Sequence, residues 1–332
     1  MTTTAPPAAQ SAPASALQMT LRTVTIAACL PYLALKVAWV AGSRVGIPDG
    51  SELLAHETVM RIANALTCLM DASVIVLALL LTRPWGRRVP AWLVAVPLWV
   101  ATGLLAPIVV GFPATLVAGA LGAETVGAQA AAQASWLEDW VWSMVYGGFI
   151  VQALGLGTLF VMYVRDRWAP VWQGRLGALP PSPTAAAQRV IAVAAAGLAL
   201  LPAALHALWA AGSTCGLSAG LAAGRTTDFH VVEAVHALWA ASAAVGALML
   251  ALRTGRGVRV RVPLALAWVG SGATAAWGAW LAVTSLAASL NDPQTPTSVM
   301  HLTYAVQMIA GTLIAAAGAY HCAERTTPRT PR

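Results

Sequence analysis

A seven-residue run of this 332-residue chain, His230-Val-Val-Glu-Ala-Val-His236, sets two imidazoles and a carboxylate three residues apart, along one face of a helix. Glu-x-x-His is the spacing by which carboxylate-bridged di-iron bundles place two ligands on one helix, but those sites draw acids from four helices and this motif occurs once. The same residues suit two other chemistries. An imidazole beside a carboxylate can take and release a proton near neutral pH. Two imidazoles at similar depth on adjacent helices can ligate a haem iron from both sides, and His230 or His236 with His301 meets that requirement. The other chemistry-bearing side chains within apolar stretches are Lys36, Arg61, Asn64, Cys68, Asp71, His206, Tyr304 and Gln307. Arg61, Asn64, Cys68 and Asp71 follow at steps of three, four and three, which aligns them on one face and points that face into the protein.

These groups must be carried by elements that are almost wholly apolar. The chain is 58% hydrophobic and 9% charged, has one lysine, and has a mean hydropathy of +0.71, so the surface of a soluble globular domain cannot be assembled from it. Apolar spans at 21–41, 57–82, 91–113, 139–164, 187–211, 229–252, 263–288 and 301–322 are each long enough to cross a hydrocarbon core of about 30 Å. The expected fold is therefore all-α and polytopic, about eight transmembrane helices. Residues 1–19, rich in Thr, Ala, Pro and Ser and without charge, are expected to be an unstructured tail. The only base near the start of the first span is Arg22, and Pro31 and Lys36 interrupt its apolar core, so it reads as a retained helix rather than a cleaved signal.

Every second loop is basic. Arg83, Arg87 and Arg88, then Arg165, Arg167 and Arg175, then Arg253, Arg256, Arg259 and Arg261, and finally Arg325, Arg329 and Arg332 fall on one side; Asp49, Glu52, Glu57, Glu124, Glu138, Asp139, Asp228 and Asp292 fall on the other. The positive-inside rule then predicts a bacterial plasma-membrane protein with both termini cytoplasmic. The net charge of +7 thus reports orientation rather than nucleic-acid binding; the expected partners are the lipid bilayer and a small solute. Many of the fourteen tryptophans lie near span ends, where an amphipathic ring suits the interface. Cys29, Cys68, Cys215 and Cys322 lack any C-x-x-C spacing and read as small packing residues.

The chain also matches itself. Trp39-Val-Ala-Gly-Ser-Arg-Val-Gly46 and Trp209-Ala-Ala-Gly-Ser-Thr-Cys-Gly216 share five residues in register, with Lys36 aligned on His206. Arg88-Val-Pro90 repeats as Arg261-Val-Pro263, and Val151-Gln152 with Gly157-Thr-Leu159 repeats as Val306-Gln307 with Gly311-Thr-Leu313. Two four-helix repeats, 20–164 and 187–322, are expected, joined by a cytoplasmic linker at 165–186 and followed by a basic tail at 323–332. An even number of spans per unit makes the repeats parallel, related by an axis along the membrane normal.

Leu30-Pro-Tyr-Leu-Ala-Leu-Lys-Val-Ala-Trp39 with Gly42-Ser-Arg-Val-Gly46 resembles a run found in multi-pass membrane proteins of high-GC actinobacteria that have no assigned function. Eight spans in two halves, with histidines near the outer ends of even-numbered helices and Glu52 to His56 ahead of helix two, resemble the layout of the haem A synthase family. Helix four has Trp140, Trp142 and Tyr146 and no histidine, so that resemblance implies a single haem b site, in the second half.

Two functional readings follow. In the first, Lys36, Arg61, Asp71, His206, Glu233 and His236 form a polar site in the outer leaflet half, between the repeats, of a small-solute or proton-linked transporter with no cofactor and no enzymatic activity. In the second, His230, His236 and His301 bind haem. A non-catalytic partner of a membrane complex, whose buried charges serve only helix register, remains beside both. For Lys36, snorkelling to the outer interface is a further alternative.

Overall fold

A computed structural model describes residues 15–51, 53–54, 57–123, 136–286 and 295–326. Glu52, His56, Glu124, Asp292, Arg329 and Arg332 lie outside the described residues. Eight long helices are present: α1 Ala16–Val40, α2 Glu57–Thr82, α3 Ala91–Ala120, α4 Asp139–Arg167, α5 Ala185–Ala210, α6 Thr227–Leu252, α7 Arg261–Leu286 and α8 Ser298–Thr326. Two short helical turns, Ala169–Trp172 and Ala219–Ala223, complete the α-helical set among the described residues. Seven of the long helices, all but α7, are long and apolar enough to cross a membrane. The chain is thus a helical multi-pass membrane protein. Bulky side chains such as Ile62, Leu69 and Val190 face outward, as lipid contact requires.

The exception, α7, has a physical reason. It packs against α6, α8 and α3, and residues 270–275 are buried on every side. A helix enclosed by other helices need not be lipid-soluble, and α7 carries Ser271, Gly272 and Thr274 there. Small residues let the second-half helices approach closely: Ala192, Ala195 and Ala199 of α5 share one core with Ala243, Ala244 and Ala247 of α6.

Helix boundaries differ from the sequence reading in three places. The α1 helix begins at Ala16, because the Ser15 hydroxyl caps the Gln18 amide while the Gln18 side chain accepts from the Ser15 amide; residues 16–19 are helical rather than tail. The α3 helix continues through Pro97, Pro107 and Pro113 to Ala120 instead of stopping at 113. Each proline forfeits one amide donor, whereas leaving the helix in hydrocarbon would orphan several. The α8 helix extends to Thr326, into the stretch assigned to the tail.

Loop contacts define two ends of the bundle. At one, Tyr163 and Arg167 of α4 bond the Gly86 carbonyl, and Arg167 also bonds that of Val89. The 165–186 segment is more than a tether there. The amides of Leu176 and Gly177 donate to the carbonyls of Val258 and Arg256, and Arg325 reaches the carbonyls of Pro170 and Gln173. Arg253, in the left-handed conformation that ends α6, donates to the carbonyls of Leu179 and Pro180. This end holds the arginine-rich loops. At the other, the Gly46 carbonyl accepts from the Glu138 amide and the Gly216 carbonyl from the Thr297 hydroxyl at 2.5 Å.

The halves meet along α3 and α7. A Cβ placed on Gly103 would lie 2.2 Å from the Gly272 carbonyl oxygen, so the two backbones touch. Trp99 donates to the Ser271 hydroxyl at 3.0 Å, and Trp277 donates to the Leu104 carbonyl at 3.1 Å. Drawn to this seam, α3 barely touches α2, whereas α7 packs closely on α6. The two halves are therefore packed differently.

Candidate functional site

The repeated Trp-x-Ala-Gly-Ser motif builds the same turn twice. The indole nitrogens of Trp39 and Trp209 each donate at 2.8 Å to a carbonyl six residues on, those of Val45 and Cys215. Ser43 and Ser213 send their amides back to Ala38 and Leu208 at 2.9 Å, and their hydroxyls accept from Val45 and Cys215. Gly42 and Gly212 adopt φ of 94° and 97°, Gly46 and Gly216 74° and 75°, a region that side chains disfavour. Each turn fixes a buried tryptophan one helical turn beyond a buried base, Lys36 in α1 and His206 in α5.

The two bases find different partners. Lys36 Nζ lies 2.6 Å from Asp71 Oδ2 of α2, and the side chains are 1% and 6% exposed. The Tyr32 ring covers the ammonium at 3.8 Å from its centroid. Lys36 therefore turns down into the bundle and does not snorkel. In the second half His206 Nδ1 pairs with Glu233 Oε2 of α6, and Gln307 Nε2 of α8 sits 2.9 Å from His206 Nε2. The His236 ring lies against that of His206 at a 5.0 Å separation, tilted by 31°, and meets the edge of Trp277 at 5.5 Å.

With the Gln307 amide nitrogen facing Nε2, that nitrogen donates and Nε2 accepts, which leaves Nδ1 to donate to the Glu233 carboxylate. Gln307 Oε1 has no partner among the described residues. Rotating that amide by half a turn would offer an acceptor to a protonated Nε2. His206, His236 and Gln307 are buried, while the Glu233 side chain retains 13% exposure.

The six residues expected to share one site thus divide. Lys36 and Asp71 form one buried pair within the first half; His206, Glu233 and His236 form a cluster within the second. Arg61 is exposed, its guanidinium beside the Gly42 turn, while Asn64 and Cys68 are half-buried and Asp71 is buried. The polar face of α2 therefore turns inward only at its deeper end. Asp71 falls short of the second half because Lys36 satisfies it locally.

The histidines proposed for haem have other engagements. His230 Nδ1 lies 3.0 Å from the carbonyl of Ala210 and 3.2 Å from that of Trp209, closing the end of α5. His301 is exposed and 3.3 Å from the Ser285 hydroxyl. His236 has His206 on one side and Trp277 on another, so no slot for a macrocycle opens at its ring. These residues do not fit a haem in this arrangement. Among the described residues no group of three or more His, Cys, Asp or Glu side chains is placed to hold a metal ion.

Gln307 was legible only as a polar residue in a span, although its place in the Val-Gln match was a usable signal. A second signal is the pentapeptide His-Ala-Leu-Trp-Ala, present at 206–210 and again at 236–240, whose two histidines are the pair in contact. The fold and this cluster define a class, multi-pass helical membrane proteins with a buried, hydrogen-bonded histidine and carboxylate. Within that class the chain matches no protein-family model, no curated protein and no solved structure.

Proposed function

We propose that the chain is an eight-span plasma-membrane protein of two parallel four-helix repeats, its arginine-rich end cytoplasmic, and that it works as a proton-linked, small-solute transporter-like protein with His206 as the proton-accepting group. The observation that carries this reading is the His206 environment. A buried imidazole joins a carboxylate on one nitrogen and a reversible amide on the other, so both of its protonation states can be hydrogen-bonded without moving a helix. Glu233 supplies the entry for the proton, Gln307 adjusts its amide, and His236 lines the inner side. The Lys36 and Asp71 pair, closed over by Tyr32, holds α1 to α2 and takes no part in exchange.

The repeat is supported by the shared turns and by the base that precedes each, the eighth span by the length and enclosure of α7. Purified protein reconstituted into liposomes containing a trapped pH-sensitive dye tests the reading. Under an imposed potassium diffusion potential, wild type should acidify the lumen several times faster than Glu233→Gln or His206→Asn. Equal rates in wild type and both variants, or a wild-type rate no faster than that of protein-free liposomes, would overturn it.

A further inference from the structure

At the arginine-rich end the inner terminus of α4 and the 172–174 segment face the first turns of α7 across an open groove of about 1070 Å³. Its rim carries Arg165, Arg259 and Arg261, all exposed. None of the three has a carboxylate within ion-pair distance among the described residues. Asp166, the one acid on the rim, lies 3.9 Å from Arg87, so three basic side chains face one acid that Arg87 already accompanies. Below the rim the wall is apolar, formed by Val161 of α4 and by Val262, Leu266 and Val269 of α7, and Trp239 closes the deep end.

The dimensions select a ligand. From Arg261 to Val269, at 1.5 Å per residue, the wall descends about 12 Å. That is close to the half-thickness of a hydrocarbon core about 30 Å across. A soluble anion would use the rim and leave the wall exposed, and a neutral lipid would use the wall and leave three positive charges uncompensated. The geometry points to a bound anionic phospholipid, its phosphate held by Arg165, Arg259 and Arg261 and one acyl chain lying along α7 between the two halves. This inference needs only that the chain spans a bilayer, and it stands or falls separately from proton transfer at His206.

Native mass spectrometry of the purified full-length protein, titrated with dioleoyl phosphatidylglycerol, counts the bound lipid. Dioleoyl phosphatidylcholine supplies the same chains without net charge, and millimolar inorganic phosphate supplies the anion without chains. Removing all three rim charges with Arg165→Gln, Arg259→Gln and Arg261→Gln should weaken phosphatidylglycerol binding at least about tenfold, and Arg83→Gln, at the same end but outside the groove, should leave it unchanged. Leu266→Trp, which fills the wall and alters no charge, should evict the lipid as well, with circular dichroism confirming a folded helical protein. The inference fails if the triple variant and Leu266→Trp both retain phosphatidylglycerol as wild type does, if phosphatidylcholine binds equally, or if phosphate displaces the lipid.

Discussion

Replacing Lys36 with methionine removes the charge and keeps most of the volume, which isolates the electrostatics of its pairing with Asp71. In the native chain the ammonium is 1% exposed, 2.6 Å from a carboxylate oxygen and covered by Tyr32. Lys36→Met leaves Asp71 ionised without a counterion, or obliges it to take up a proton; breaking a buried pair in this way costs about 3–5 kcal/mol. Asp71→Leu alone should cost a similar amount, since it strands the ammonium. The double variant, with two apolar side chains facing each other, should recover most of the loss and come within about 1 kcal/mol of wild type. The contrast is the Arg87 and Asp166 pair, 3.9 Å apart with side chains 51% and 54% exposed, where Arg87→Met should cost no more than about 1 kcal/mol. Denaturant unfolding in detergent micelles, followed by tryptophan fluorescence, measures all four variants. A loss below about 1 kcal/mol for Lys36→Met would refute the reasoning, because it would equate the buried pair with the exposed one and imply that water reaches Asp71.

Two further outcomes follow from backbone contacts. Gly216→Ala places its Cβ 2.6 Å from Val299 at a φ of 75°, whereas Gly212→Ala meets nothing within 4 Å and carries only the strain of a φ of 97°; unfolding should show a loss of about 2–4 kcal/mol for the first and about 1–2 kcal/mol for the second, and equal losses would contradict the packing role given to Gly216. Gly103→Leu should wedge α3 from α7 and break the Trp99 bond to Ser271, seen as a red-shifted tryptophan emission and a loss of at least about 2 kcal/mol; wild-type stability and emission would mean that the backbones do not touch.

Much of the architecture was readable from one dimension, because hydrocarbon allows few solutions. A run of apolar residues long enough to span has to be a helix, so the span at 57–82 coincides with α2 and the others agree to within a few residues except where α1, α3 and α8 run longer. The Trp-to-Gly turns were visible for a similar reason: a positive φ calls for glycine and a buried indole for a carbonyl, and both demands are local. Partnership was not legible. Spacing placed Lys36, Asp71, His206 and Glu233 inside spans, but which base meets which acid depends on the helix that lies alongside. A lysine stem reaches an acid deep in α2, while the shorter imidazole takes one nearer the end of α6. The displacement of α3 to the seam, the enclosure of α7, and the arginine-rimmed groove between the halves likewise arise from contacts between residues on different helices, tens to more than a hundred positions apart. Desolvation makes each buried charge need a partner, and only packing chooses it.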